Sequence, residues 1–283
     1  MTGMTDGIMV GYDGSAGSDE ALRWAAREAL ARGTALTICL AWPAADLLLL
    51  GDWQAHDRAR QLGGDILARG LRLAGSVPDL ADVRTVLAEG SPAHVLCERS
   101  SSAEMVVVGS RGHGGLGGSR LGSVSWQVAC HANGRVVVIR GHWLPVNQSP
   151  GPVVVGVDGS PASRDALTFA FEEAALRDVP LVAICALADA PGKVGGAARM
   201  EEDFSRLMTP REKEHPETTV LRQVAFGAPR PALLAAAAEA QILVVGSRGL
   251  DGLEGMSLGS VVGALVHHSP CPIAVVHPAT RRP

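Results

Sequence analysis

The sequence predicts an α/β protein of two tandem domains, each a parallel sheet with helices on both faces. The first observation is an internal repeat, which outranks other signals when it is present. Ile8-Met-Val-Gly-Tyr-Asp-Gly-Ser15 returns as Val153-Val-Val-Gly-Val-Asp-Gly-Ser160, an offset of 145 that runs without a gap through Leu36 to Trp42 and Leu181 to Leu187. Later the offset is 137, pairing Gly90 with Gly227, Pro92 with Pro229, Gly109 with Gly246 and Gly122 with Gly259. The second copy is therefore shorter between Trp42 and Gly90. The second observation is the alternation of short apolar runs with helical patterns, which argues for parallel sheets with right-handed crossovers. The third is length: 283 residues suit two domains at roughly 150 residues each. Gly141-His-Trp-Leu-Pro-Val-Asn-Gln-Ser-Pro-Gly151, with two prolines that disfavour a helix, reads as the linker. The expected domains are 1–145 and 150–283.

Each element has its own justification. Ile8 to Tyr12 and Val153 to Val157 are short apolar runs suited to strands covered on both faces. Ser18 and Ser163 are expected to cap the helices that follow, where Ala21, Leu22, Ala25 and Ala26 recur at helical spacing. Strand two is Leu36 to Ala41, matched by Leu181 to Ala186. A second helix is expected over Arg58 to Leu73, its counterpart near Arg199 to Leu207. Strand three falls near Val83 to Leu87 and Val220 to Ala225. The third helix starts at Ser91-Pro92, with serine at the cap and proline at the first helical position, and at Pro229 in copy two. Met105 to Val108 and Ile242 to Val245 form strand four. The fourth helix begins near Ser123 or Ser260, and strand five is Val136 to Ile139 or Ile273 to Val276.

Composition excludes several classes. Hydrophobic residues at 47% and charged ones at 19% are a globular balance, which rules out a disordered chain. A net charge of -4 leaves no cationic footprint for nucleic acid. The N-terminal residues carry no secretory pattern, and the most apolar stretches, broken by Asp46, Gly51 and Glu239, fall short of the ~20 residues of a membrane span. The five cysteines, Cys39, Cys97, Cys130, Cys185 and Cys271, are widely spaced with no CxxC pair, and read as buried reduced thiols of a cytoplasmic protein. The histidines show no metal spacing.

Ligands of doubly wound sheets bind beyond the carboxyl ends of the strands, at the switch point. Asp13 and Asp158 stand there after strand one, behind Gly11 and Gly156, although Asp-Gly-Ser is also an ordinary turn into a helix. After strand four, copy one has Gly109-Ser-Arg111-Gly112, nine residues, then Gly122-Ser123; copy two has Gly246-Ser-Arg248-Gly249, nine residues, then Gly259-Ser260. Glycine lets backbone amides approach a phosphate closely, and a helix opening at the last Gly-Ser offers amides and positive partial charge to an anion. Arg111 and Arg248 could steer phosphate or anchor the loop. Gly112-His-Gly-Gly-Leu-Gly117 matches G-x-G-x-x-G but follows strand four, and copy two lacks it, so a dinucleotide fingerprint is disfavoured. No Walker-type lysine motif occurs.

The glycine spacing, the Val-Gly-x-Asp-Gly-Ser start and the two-copy layout resemble a tandem universal stress protein of the nucleotide-binding type, over nearly the whole chain. The resemblance implies two Rossmann-like (adenine nucleotide alpha hydrolase-like) domains, each a five-stranded parallel sheet binding ATP at the switch point. By position it places Asp13 and Asp158 on the adenine and ribose side. Ala41 and Ala186 would meet adenine, and Gly109, Gly112, Gly122, Ser123, Gly246, Gly249, Gly259 and Ser260 would hold ribose and phosphates. Ser125 resembles a further phosphate-side hydroxyl, replaced by Val262 in copy two. The resemblance also implies Mg²⁺ on the phosphates, a homodimer and an unidentified protein partner.

The copies differ. Loop one carries His113 and Arg120, whereas loop two has Leu250 and Ser257 there, plus Asp251 and Glu254; the expectation is that copy one holds ATP at least as tightly. Gly134-Arg135 stands where copy two has Cys271-Pro272, next to strand five. Trp42 and Leu47 to Leu50 could form a flap over adenine or simply pack. No evident nucleophile and base pair occurs, which favours a non-catalytic nucleotide-sensing module in stress response. The rivals are a weak ATP hydrolase or adenylyl-transferring enzyme on the same fold, and a dimerisation module with vestigial sites.

Overall fold

In the computed structural model of the chain, residues 6–42, 53–112, 121–140, 151–187, 196–250 and 258–278 are described below. The chain divides into two compact units, Met1–Ile139 and Arg140–Pro283. Leu47 to Leu50, the 113–120 loop, the 141–150 linker and the 251–257 loop, with Asp251, Glu254 and Ser257, lie outside the described residues.

The first unit runs β1 (Ile8–Gly11), α1 (Ala16–Arg32), β2 (Leu36–Trp42), α2 (Trp53–Ala74), β3 (Val83–Glu89), α3 (Pro92–Arg99), β4 (Met105–Gly109), α4 (Ser123–His131) and β5 (Arg135–Ile139). Its strands order as β3-β2-β1-β4-β5, all neighbours parallel. The order reverses between β1 and β4, which opens a crevice at their carboxyl ends. The second unit repeats this with β6 (Val153–Gly156), α5 (Pro161–Arg177), β7 (Leu181–Leu187), α6 (Gly196–Glu214), β8 (Val220–Phe226), α7 (Pro229–Ala237), β9 (Ile242–Gly246), α8 (Ser260–His268) and β10 (Ile273–Val276). Its order is β8-β7-β6-β9-β10, again parallel throughout. Each unit is a doubly wound, Rossmann-like sheet.

The central strands explain why the runs are apolar on both faces. Ile8, Met9, Val10, Val106 and Val107 are fully buried, as are Val153, Val154, Val155, Ile242, Leu243 and Val244. Helices cover both sides, and each fully buried aliphatic side chain contributes ~1.5–3 kcal/mol. α1 turns Ala21, Leu22, Ala25, Ala26 and Ala29 inward; small side chains let the helix lie close to the sheet.

The helix starts correct one expectation. The caps of α1 and α5 are Ser15 and Ser160, not Ser18 and Ser163. Ser15 and Ser160 accept from the amides of Ser18 and Ser163, both at 3.2 Å. Ser18 and Ser163 lie in the first turn and donate back to the Ser15 and Ser160 carbonyls at 2.9 and 3.0 Å. Four residues after Asp-Gly the hydroxyl is already inside the helix, so the serine of Asp-Gly-Ser itself takes the capping geometry. α2 and α6 also exceed their expected spans. α6 continues past Pro210, which is exposed, and beyond the proline Glu212 pairs with Arg222 of β8. α4 and α8 start at Ser123 and Ser260 as their sequences indicate.

Candidate functional site at the switch point

The turn after β1 sets the floor of the crevice. Gly14 has φ +81 and Gly159 φ +84, a region side chains rarely adopt, and this reverses the chain so that the aspartate faces back. Asp13 Oδ1 accepts the Ser15 amide at 3.0 Å and the Ser15 hydroxyl at 2.5 Å; Asp158 Oδ1 accepts the Ser160 amide at 2.9 Å. The aspartate therefore does make the turn, and its carboxylate also reaches the glycine loop. A Cβ on Gly112 would stand 2.3 Å from Asp13 Oδ2, and one on Gly249 2.5 Å from Asp158 Oδ2. In the second unit the Leu250 amide donates to Asp158 Oδ2 at 3.1 Å.

The glycines after strand four serve different ends. Gly109 and Gly246 are required by the protein itself: a Cβ would sit 2.5 Å from the Gly17 carbonyl oxygen, or 2.6 Å from the Ala162 carbonyl carbon. Gly122 and Gly259 are not. They cap α4 and α8 with φ -67 and -66, and among the described residues a Cβ would meet nothing nearer than 3.5 and 3.7 Å. Their amides tie down the loop by donating to the Ser110 and Ser247 carbonyls at 2.8 and 3.0 Å.

In the first unit these parts line a crevice of about 750 Å³, within the range of small-molecule sites. Gly11, Asp13, Ala41, Gly109, Arg111, Gly112, Gly122, Ser123 and Ser125 all border it. Its walls are chemically divided. Cys39, Leu40, Ala41, Pro92, Leu96 and Val108 make one end apolar, and burial pushes the Cys39 thiol up to about 11, keeping it uncharged. The rest of the lining offers the exposed Arg111, glycine backbone, the start of α4 and the Ser123 hydroxyl. Ser125 is buried and donates to the Gly109 carbonyl at 2.6 Å, binding α4 to the end of β4.

Gly156, Asp158, Ala186, Gly246, Arg248, Gly249, Gly259 and Ser260 occupy the matching strand ends and helix start of the second unit. The linings differ at four points, one of them Cys185 in place of Leu40. Ile184 holds the register position against Gly156 that Cys39 holds against Gly11, Val157 follows β6 where Tyr12 follows β1, and Val262 replaces Ser125. Sequence patterns did not single out Leu96, Pro92 or Val108 as site residues, because an apolar wall carries no spacing signal; the packing of α3 against the sheet brings Pro92 and Leu96 to the site, and Val108 borders it from the end of β4.

His56 meets Glu89 at 3.2 Å and lies against the Trp42 ring, centroids 5.1 Å apart. Among the described residues no group of three or more His, Cys, Asp or Glu side chains gathers. No helix among them is long and apolar enough to cross a membrane. Cys39, Cys130, Cys185 and Cys271 are buried and free, whereas Cys97 is only half-buried.

Fold and crevice together define a tandem, doubly wound α/β protein with a small-molecule cleft at the switch point. The model of the universal stress protein family matches residues 4–140 and 151–277, and the chain belongs to that family. It is 37% identical to a universal stress protein of Mycolicibacterium smegmatis, covering 96% of this chain and 97% of that one. A universal stress protein of Mycobacterium tuberculosis is 35% identical over 95% of this chain and 96% of its own. The crystal structure of a universal stress protein from Archaeoglobus fulgidus shares the fold, with a TM-score of 0.72 at 21% identity, over 98% of this chain and 97% of that one.

Proposed function

We propose that both domains, 1–145 and 150–283, bind ATP in a non-catalytic, nucleotide-sensing role in stress response, the first at least as tightly as the second. The observation that carries this reading is glycine at Gly122 and Gly259, where the described residues leave room for a side chain. A glycine that the fold does not need, at a helix start bordering a cleft, suits a phosphate approaching the backbone. The divided crevice supports the same orientation: adenine against Ala41, Leu96 and Val108, phosphates against Gly112, Gly122, Ser123 and Arg111. Mg²⁺ would be held chiefly by the phosphates themselves, with the Ser123 hydroxyl at hand as an oxygen ligand of the kind that ion takes.

The ranking of the two sites rests on their linings. Ile184 and Val262 bring bulkier, apolar side chains to the positions where the first site has Cys39 and Ser125. Calorimetry with MgATP on Asp13→Ala and Asp158→Ala tests it: losing Asp13 should remove the tighter site, and the ranking is wrong if losing Asp158 does. Mass spectrometry of ligand released on denaturing the purified protein should find an adenine nucleotide; an empty protein that also shows no thermal shift with ATP would sink the reading. ATP turnover well above buffer that disappears in Gly122→Val would instead make the protein an enzyme. The homodimer is what the family resemblance implies and the cytoplasmic location is read from the thiol pattern; light scattering and cell fractionation test them.

A further inference from the structure

We infer that Tyr12, Asp19 and Arg69 form a strut that positions the Asp13 turn of the first domain for its ligand, and that the second domain lacks it. The inference rests on the nucleotide reading above. The strut joins three elements. The Tyr12 hydroxyl, directly after β1, donates to Asp19 Oδ1 at 2.8 Å; Asp19 Oδ2 accepts from the Arg69 guanidinium of α2. The other arm of that guanidinium donates to the Gly14 carbonyl at 2.7 Å. Gly14 lies between Asp13, which borders the crevice, and Ser15, which holds the Asp13 carboxylate and caps α1. One cation thus grips the backbone of the turn while an aspartate on α1 grips the cation.

The surroundings are built for this. Tyr12 is 2% exposed and Asp19 9%. A Cβ on Gly70 of α2 would stand 3.0 Å from the Tyr12 ring, so that glycine lets the ring lie against the helix. Asp19 sits in the first turn of α1, where the helix dipole favours its charge. Burial first, and then the bond to Asp19, push the Tyr12 phenol up to about 12, so the donor keeps its proton at physiological pH. Charge-assisted bonds of this kind are the stronger ones, and the planar fork of Arg69 donates through separate nitrogens to two acceptors.

In the second domain Val157 and Arg164 stand at the positions of Tyr12 and Asp19, neither hydroxyl nor carboxylate. Its turn is held from the opposite direction, by the Ser160 hydroxyl donating to the Arg248 carbonyl at 3.1 Å. The two turns have the same backbone reversal and different anchors, so perturbing α2 should affect only the first.

The test uses the full chain as wild type, Arg69→Ala and Tyr12→Phe, the latter keeping the ring and removing only the hydroxyl in case Arg69→Ala does not fold. Amide hydrogen exchange without nucleotide reads residues 13–18 and, as an internal control, 158–163; calorimetry reads MgATP. The expected result is exchange at 13–18 faster by about fivefold or more with 158–163 unchanged, and binding at the tighter site weaker by about tenfold in Arg69→Ala and severalfold in Tyr12→Phe. Unchanged exchange at 13–18 overturns the strut. Faster exchange with unaltered MgATP affinity overturns its positioning role and leaves a structural brace. A wild type that gives no heat with MgATP defeats the nucleotide reading and this inference with it, and is told apart because the exchange difference between variants persists.

Discussion

Gly122→Ala is the substitution that best separates a ligand-driven glycine from a fold-driven one. The added Cβ would lie 3.5 Å from the Ser110 carbonyl oxygen, 3.6 Å from Arg111 Cα and 3.7 Å from Ser125 Oγ, which are ordinary contacts. The backbone there is extended, at φ -67 and ψ 151, so alanine meets no strain. Two small terms oppose each other: alanine is a poorer helix cap than glycine by about 0.5 kcal/mol, and it restricts the unfolded chain, a gain of ~0.4–1 kcal/mol. The net change in stability should stay within about 1 kcal/mol, roughly 2–4 °C in melting temperature. Binding should respond very differently, because the methyl takes the space through which a phosphate oxygen reaches the α4 amides. MgATP affinity at the first site should fall by about tenfold or more, the worth of one good hydrogen bond to a charged group. Gly109→Ala is the contrast: its Cβ meets the Gly17 carbonyl oxygen at 2.5 Å and carbonyl carbon at 2.6 Å, backbone that cannot swing aside, and overpacking of that kind costs ~1–3 kcal/mol or more. Thermal melts without nucleotide and calorimetry with it measure both. A Gly122→Ala protein that binds MgATP like wild type would refute the placement of the phosphates, and one that melts as low as Gly109→Ala would refute the packing argument.

Tyr12 is the one tyrosine of the chain, so the ultraviolet absorbance of tyrosinate reports on it alone. Its midpoint should lie near 12 instead of the ordinary 10.0, and Asp19→Asn should bring it partway down. Because the folded value is the higher, the stability from the neutral phenol is complete below about pH 10 and is lost as pH rises toward 12. Ser15→Ala removes both a cap on the Ser18 amide and a donor to Asp13; a melting temperature lower by roughly 2–4 °C together with weaker MgATP binding is expected, and a loss of stability alone would count against the role of Asp13. Burial pushes the thiols of Cys39, Cys130 and Cys271 to about 11. A thiol reagent at neutral pH should therefore modify Cys97 first and the others only on unfolding, as mass mapping would show; early labelling of Cys39 would mean the crevice is more open than its walls indicate.

Much of the architecture could be read from the residues because it depends on local chemistry repeated twice. Val-Gly-x-Asp-Gly-Ser dictates a buried strand, a left-handed glycine and a capping serine wherever it occurs, and Gly-Ser before an apolar helix dictates where α4 and α8 begin. The boundaries that were misjudged are those where side chains decide between neighbouring options, as with Ser15 over Ser18 at the start of α1. α6 runs on past Pro210, and its pair between Glu212 and Arg222 of β8 joins segments that no short window of sequence around the proline contains.

The linear order of residues determined the duplicated fold, its parallel sheets and the chain segments that meet at the switch point, since hydrophobic periodicity and turn chemistry act over a few residues. Tertiary structure alone decided which glycines the protein needs and which it leaves free, that Leu96 of α3 walls the crevice, and that Arg69 reaches across 55 positions to Gly14. Those facts are distances between segments remote in sequence, set by how α2 and α3 dock on opposite faces of one sheet.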